Sequence, residues 1–206
     1  MFLAEAHQFS GEFVKSNEQL SNVLEIFTTG DVDVDMQIKT LKLVITNLQS
    51  LENFEEAINY QTKILKVCTD LEEKINIYQQ IANNFLQIGD HNQAIQNQVM
   101  VYNLVRVIAN GGSDENVEEC EETEQTIQAL FNLVQIKFMV IQQQVQQAND
   151  SGDTSVIDAD FLLQTKETLE VLLQRMTDLF GEQNLLSRAD YEQTEQMLAE
   201  INAVIS

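Results

Sequence analysis

Apolar positions recur at steps of three and four residues along most of this chain, the period of a helix with one buried face. The longest stripe runs through residues 120–148, with Ile127, Leu130, Phe131, Val134, Phe138, Ile141 and Val145 in register. The same spacing predicts helices over about 2–27, 36–51, 54–68, 71–88, 91–109, 157–180 and 188–204. The first carries Phe9, Phe13, Leu20, Leu24 and Phe27 and is expected to stop at Thr28-Thr29-Gly30, where glycine suits a C-terminal cap. Punctuation elsewhere is sparse. Gly89-Asp90 reads as a tight turn between two helices. Gly111-Gly112-Ser113 breaks the pattern before the acidic run DENVEECEETE, and Asn149–Thr154 reads as a polar loop. Ser155-x-x-Asp158 and Ser187-x-x-Asp190 read as capping-box starts, with Asp in place of the usual Glu.

Composition sharpens the fold class to all-α. The chain has no proline and seven glycines in 206 residues, so long helices meet few interruptions and an all-β fold lacks its turn residues. The 24 glutamines and 17 asparagines would suggest disorder if clustered. They are instead interleaved with Ile, Leu and Val at helical spacing, and are read as solvated helix faces. The expected organisation is a helical region over 1–110, an acidic connection over 111–119 and a C-terminal helical bundle over 120–206.

Within the first region, residues 75–104 read as a helical hairpin with Tyr78, Ile81, Ala82, Phe85, Gly89, Asp90 and Ala94 at its diagnostic positions. The preceding segment offers Leu41, Val44, Ile45, Leu48, Asn53, Phe54, Ala57 and Tyr60 in the same order. This pattern resembles the tetratricopeptide repeat, in which an aromatic ends the first helix and an alanine opens the second after a Gly-Asp-type turn. The match covers residues 38–109. Glu52 stands where the turn glycine is usual and Ile45 where the mid-helix glycine is usual, and neither copy has a terminal proline. The step from Ala57 to Ala94 is 37 residues, longer than the usual period of about 34. The resemblance implies antiparallel hairpins stacked as a short tetratricopeptide-like solenoid, with additional C-terminal helices. Ala57, Ala82 and Ala94 would let helix backbones approach closely.

In that family the first helices line a groove that holds a peptide. The resemblance then assigns Lys39, Lys42, Thr46 and Gln49 of the first repeat, and Asn76, Gln79, Asn83 and Gln87 of the second, as partner-binding residues. The plain alternative is solvated helix surface. Some members of the family clamp a terminal carboxylate with Lys and Asn. Lys42 and Asn83 match two of those positions, while Thr46 at another, the missing third-repeat cations and the acidity of the chain argue against it.

The formal net charge is −22, which opposes phosphate backbones and anionic lipid. Nucleic acid is therefore not an expected partner, a basic protein is, and no apolar run approaches a membrane span. Cys68 and Cys120 have neither CxxC spacing nor a nearby histidine, which fits a reducing, intracellular setting, the cytoplasm first. Neither a secretory nor a transit leader is expected at the N-terminus. No nucleophile elbow, Walker loop or histidine constellation is present, so no enzyme and no cofactor is expected. The segment 30–35 fails as a calcium loop because Met36 and Lys42 fall where it needs a sixth ligand-loop glycine and a twelfth carboxylate, counting from Asp31. Residues 149–160 come closer, with Asn149, Ser151, Asp153 and Asp160 as candidate ligands, but Thr154 replaces the glycine and Ile157 offers no ligand. The leading function class is a structural or adaptor subunit of a larger protein assembly, and the alternative is a regulatory helical protein with a degenerate EF-hand-like loop at 149–160.

Overall fold

Without proline to break them, the amphipathic stripes form helices that end only where glycine or a capping side chain ends them. The computed structural model describes residues 2–27, 33–112, 122–185 and 188–205. Its elements are α1 (Phe2–Phe9), α2 (Phe13–Phe27), α3 (Val34–Ser50), α4 (Phe54–Val67), α5 (Leu71–Gln87), α6 (His91–Ala109), α7 (Glu124–Ser151), a 3-10 turn (Thr154–Val156), α8 (Ala159–Phe180), α9 (Glu182–Leu185) and α10 (Ala189–Ile205). No strand occurs among the described residues, so the protein is all-α. Two compact units divide at Asn97 and Gln98, within α6 rather than at the acidic run. Most of that run, with Cys120, lies outside the described residues, as do Thr28-Thr29-Gly30 and Ser187.

In the first unit the single helix expected over 2–27 is two helices. Gly11 adopts φ 74°, the Gly11 N–H donates to Gln8 O and the Glu12 N–H donates to His7 O over 2.8 Å. This is a Schellman closure, which satisfies the last carbonyls of α1 and reverses the chain. The His7 Nδ1 sits 2.7 Å from the Glu12 carboxylate across the same turn. The apolar period misled here because a lone glycine inside a continuous helical pattern is normally read through. Phe9, placed in the stripe by that reading, is 93% exposed.

The closure recurs three times among the described residues, once at the end of α6, where the Gly112 N–H donates to Val107 O with Gly111 at φ 70°. The Asn53 N–H donates to Leu48 O, with Glu52 at φ 56°, and the Asp90 N–H donates to Phe85 O, with Gly89 at φ 78°. Asn53 and Asp90 then cap the next helices by accepting from the N–H groups of Glu56 and Gln93. Four residues beyond Glu12, Asn53 and Asp90 stand Ser16, Ala57 and Ala94, all of them buried. A small side chain at this place in each second helix lets its partner helix approach closely. Ser16 uses the proximity to donate from Oγ to Ala4 O over 2.8 Å. The chain thus forms hairpins α1–α2 and α3–α4, followed by the α5–α6 turn, and each of α1 to α4 packs on the next.

The 37-residue step extends well beyond the alanines. Val44 and Ile81, Ile45 and Ala82, Asn47 and Asn84, Gln61 and Gln98, and Ile64 and Val101 are each separated by it, and all are buried. The start of α7 repeats the internal order of these positions but not the 37-residue step, with Thr126, Ile127, Leu130 and Phe131 buried as Thr40, Leu41, Val44 and Ile45 are. The core of the first unit is built from Leu20, Leu41, Val44, Ile45, Leu48, Ile64, Ile77 and Ile81 around Ala57.

Four of the amides read as solvated faces are in fact buried: Asn47, Gln61, Asn84 and Gln98. Burying an amide costs free energy wherever a polar atom lacks a partner, as Asn47 Oδ1 does among the described residues. Gln49 Nε2 donates to Asn84 Oδ1 at 3.0 Å, Asn84 Nδ2 to Gln61 Oε1 at 2.9 Å and Gln61 Nε2 to Gln80 Oε1 at 3.3 Å. This chain of amides crosses α3, α5 and α4. Asn47 Nδ2 donates to Ser16 Oγ and Asn17 Oδ1 on α2.

In the second unit α7 packs on α8 and α10, and α8 packs on α10. Thr123 and Thr126 form a reciprocal capping box that starts α7, and Gly152 at φ 70° ends it. The sequence-expected stripe of α7 is buried from Ile127 to Ile141. Leu162, Thr165, Leu169, Leu172 and Met176 of α8, and Thr194, Met197 and Ile201 of α10, complete that core. The N-cap of α8 is Asp158, whose Oδ1 accepts from the Phe161 N–H, whereas Ser155 sits in the 3-10 turn. Arg188 stacks over the Phe180 ring at 3.8 Å and pairs with Asp190 and Glu124, which ties the beginnings of α7 and α10 to the end of α8.

Candidate protein-docking surfaces

The eight residues assigned to partner binding lie on α3 and α5. Lys39, Lys42, Thr46, Asn76, Asn83 and Gln87 are exposed, and Gln49 and Gln79 are half-buried. Single side-chain contacts link α3 to α1 and to α5. Lys39 Nζ lies 3.8 Å from Glu5 of α1, and Lys42 Nζ lies 2.9 Å from Glu73 of α5. Gln49 reaches Asn84 of α5 as part of the amide chain.

These contacts change the chemistry expected of the face. Both lysines are engaged by carboxylates, so neither is a free anion receptor. Lys42, one of the two positions matching a carboxylate clamp, points its ammonium at Glu73. Thr46 Oγ1 donates to Lys42 O within its own helix. Among the described residues the amides of Asn76, Gln79, Asn83 and Gln87 are uncommitted, and the exposed three, Asn76, Asn83 and Gln87, both donate and accept, as an extended or helical peptide backbone requires. Near one end of this face, Val34, Ile38 and Val67 floor a cavity of about 370 Å³ edged by Lys39, Lys42 and Glu73. Cys68 lies at its base and donates from Sγ to Asp70 O at 3.5 Å.

A second concave surface, which sequence reading missed, lies between α7 and α10. Two cavities of about 330 and 360 Å³ share Phe138, Gln142 and Glu200 and so form one groove. Its floor is apolar, with Phe138, Ile141, Val145, Ile201 and Val204. Met139, 48% exposed, stands on its edge. The rim is amide-rich. The Glu200 carboxylate accepts from Gln142 Nε2 and from Gln196 Nε2, each at 3.2 Å. The signal available in sequence was the apolar stripe of α7, which continues beyond the length needed to cover α8.

The 149–160 segment does not form a twelve-residue loop. Asn149 and Ser151 belong to α7 and Asp160 to α8. Asp153 Oδ1 accepts from the Ser155 N–H, and the Ser155 hydrogen bonds hold its carboxyl below the usual aspartate range. Asp158 is occupied as the α8 cap, and its own N–H donates to Gln144 Oε1. No helix among the described residues is long and apolar enough to cross a membrane.

No protein-family model matches the chain. No curated protein matches it either. Among solved structures it is similar to the crystal structure of BtubC (BKLC) from P. vanneervenii, at 14% identity and a TM-score of 0.49, over 98% of this chain and 78% of that one. A likeness of that size carries no argument about role.

Proposed function

We propose that this chain is a non-enzymatic protein-docking subunit, a structural or adaptor component of a larger assembly, built on tetratricopeptide-like hairpins. The reading rests on one observation: ion pairs tie α3 to α1 through Lys39–Glu5 and to α5 through Lys42–Glu73, with Asn76, Asn83 and Gln87 exposed on α5. The 37-residue recurrence of buried Asn47/Asn84 and Ala57/Ala94 supports the repeat character. Packing alone does not require three exposed amides at the corresponding turns of one helix.

The test is affinity isolation of the tagged full chain from its native extract, beside Asn76→Ala/Asn83→Ala/Gln87→Ala and Lys42→Glu variants. The expected result is a stoichiometric protein partner retained by the wild type and depleted by the triple substitution, with unchanged helix content. Lys42→Glu is expected to keep the fold and weaken capture, because it repels Glu73 and disturbs the spacing of α3 and α5. Recovery of the wild type as a free monomer would overturn the reading.

A further inference from the structure

The groove between α7 and α10 lies in the second unit and is unused by the docking face of the first. One of its cavities is lined mainly by the apolar side chains of Phe138, Ile141, Val145, Ile201 and Val204, the other mainly by glutamines, and the charged side chain common to both is Glu200. Glu200 is 58 residues from Gln142 in sequence, and amides from both walls, Gln142 and Gln196, hold its carboxylate in place. These donors are neutral. They orient the charge without cancelling it, so a cation brought to this point gains a charge-assisted hydrogen bond to a carboxylate that is already positioned. Four of the unit's five Lys and Arg are engaged elsewhere: Lys166 pairs with Glu170, Arg175 with Glu122 and Arg188 with Asp190, and Arg106 stacks over Tyr102. Residues 98–206 hold 19 acids against five Lys and Arg, so the surrounding field also favours a basic visitor.

We propose that this groove binds an amphipathic helix of a partner protein, with two or three apolar anchors on one face and a Lys or Arg placed to meet Glu200. An apolar floor between two helices matches the apolar stripe of a third, and a polar rim with one fixed charge sets its register. The site is independent of the α1–α3–α5 face, and either can fail without the other.

The experiment selects from a random library of 18-residue peptides displayed on phage, with the full-length protein immobilised. Enriched peptides are then synthesised and titrated by fluorescence anisotropy. The expected peptides carry apolar residues at i, i+3 or i+4, and i+7, flanked by Lys or Arg. Glu200→Lys, at an exposed position, is expected to weaken them at least tenfold with melting unchanged. Val204→Asp, also exposed, is expected to do the same through the floor. Asn83→Ala on the other face is expected to leave them unaffected. The proposal is overturned if selection enriches nothing, if the enriched peptides lack basic residues, or if Glu200→Lys and Val204→Asp leave affinity unchanged. It is equally overturned if sedimentation shows the groove closed by a second copy of the chain, with Val204→Asp converting a dimer to a monomer.

Discussion

Asn84 on α5 donates its Nδ2 hydrogen to Gln61 Oε1 on α4 over 2.9 Å, and both side chains are sealed from water. Removing either leaves a buried polar atom unpaired, which costs about 2 kcal/mol. Asn84→Ala and Gln61→Ala are each expected to lower stability by that order in urea unfolding. The double variant is expected to lose less than the sum, since the second substitution removes the group the first had orphaned. Strict additivity would mean that the two amides do not interact.

The buried alanines make a sharper packing test. Ala57 and Ala94 are each 0% exposed. Indole at either site overfills a closely packed seam, and the expected loss is about 3 kcal/mol or outright failure to fold. Thermal melting of Ala57→Trp and Ala94→Trp checks this, and an unchanged midpoint would refute the proposed seams.

Two turns of identical closure use different residues at the left-handed position. Glu52 occupies it at φ 56°, and Gly89 occupies its equivalent at φ 78°. A side chain with a Cβ is strained there by about 1 kcal/mol, and glycine is not. Glu52→Gly is therefore expected to stabilise and Gly89→Ala to destabilise, each by about that amount, in chemical denaturation. Opposite signs are the essential outcome.

Acid sensitivity should concentrate at the start of α10. The Arg188 guanidinium hydrogen-bonded to Asp190 holds that carboxyl below the usual aspartate range and raises Arg188 in turn. A depressed folded-state value means that the contribution is present above the unfolded value, about pH 4, and is lost as pH falls through the lower folded one. Asp190→Asn is expected to lower the melting temperature at pH 7 and to flatten its decline between about pH 5 and 2. An equally steep acid limb in the variant would show that the pair is not responsible.

How much of this was readable in sequence depended on whether a residue's role followed from its neighbours in the chain. The bounds of α4, α5 and α6 followed from the Gly89-Asp90 turn and the apolar period, because both are local in the chain. The buried alanines followed from two aligned copies. The break at Ser10–Glu12 did not, since one glycine in a helical stripe carries little signal. Its correspondence with Glu52 and Gly89 emerges only when the hydrogen-bonded turns are superimposed. Burial of Asn47, Gln61, Asn84 and Gln98 was hidden too, because whether a glutamine faces water or another amide is decided by helices distant in the chain. Their recurrence at 37 residues was the available clue. Among the eight candidate docking residues, sequence placed the helices and faces, but the partners of Lys39 and Lys42 required the third dimension.

Because Glu5 and Glu73 neutralise the lysines of the first unit's face, a visitor there would meet mostly uncharged groups. Added salt would then act on such a complex mainly by screening those two exposed pairs, and so on the same spacing that Lys42→Glu disturbs.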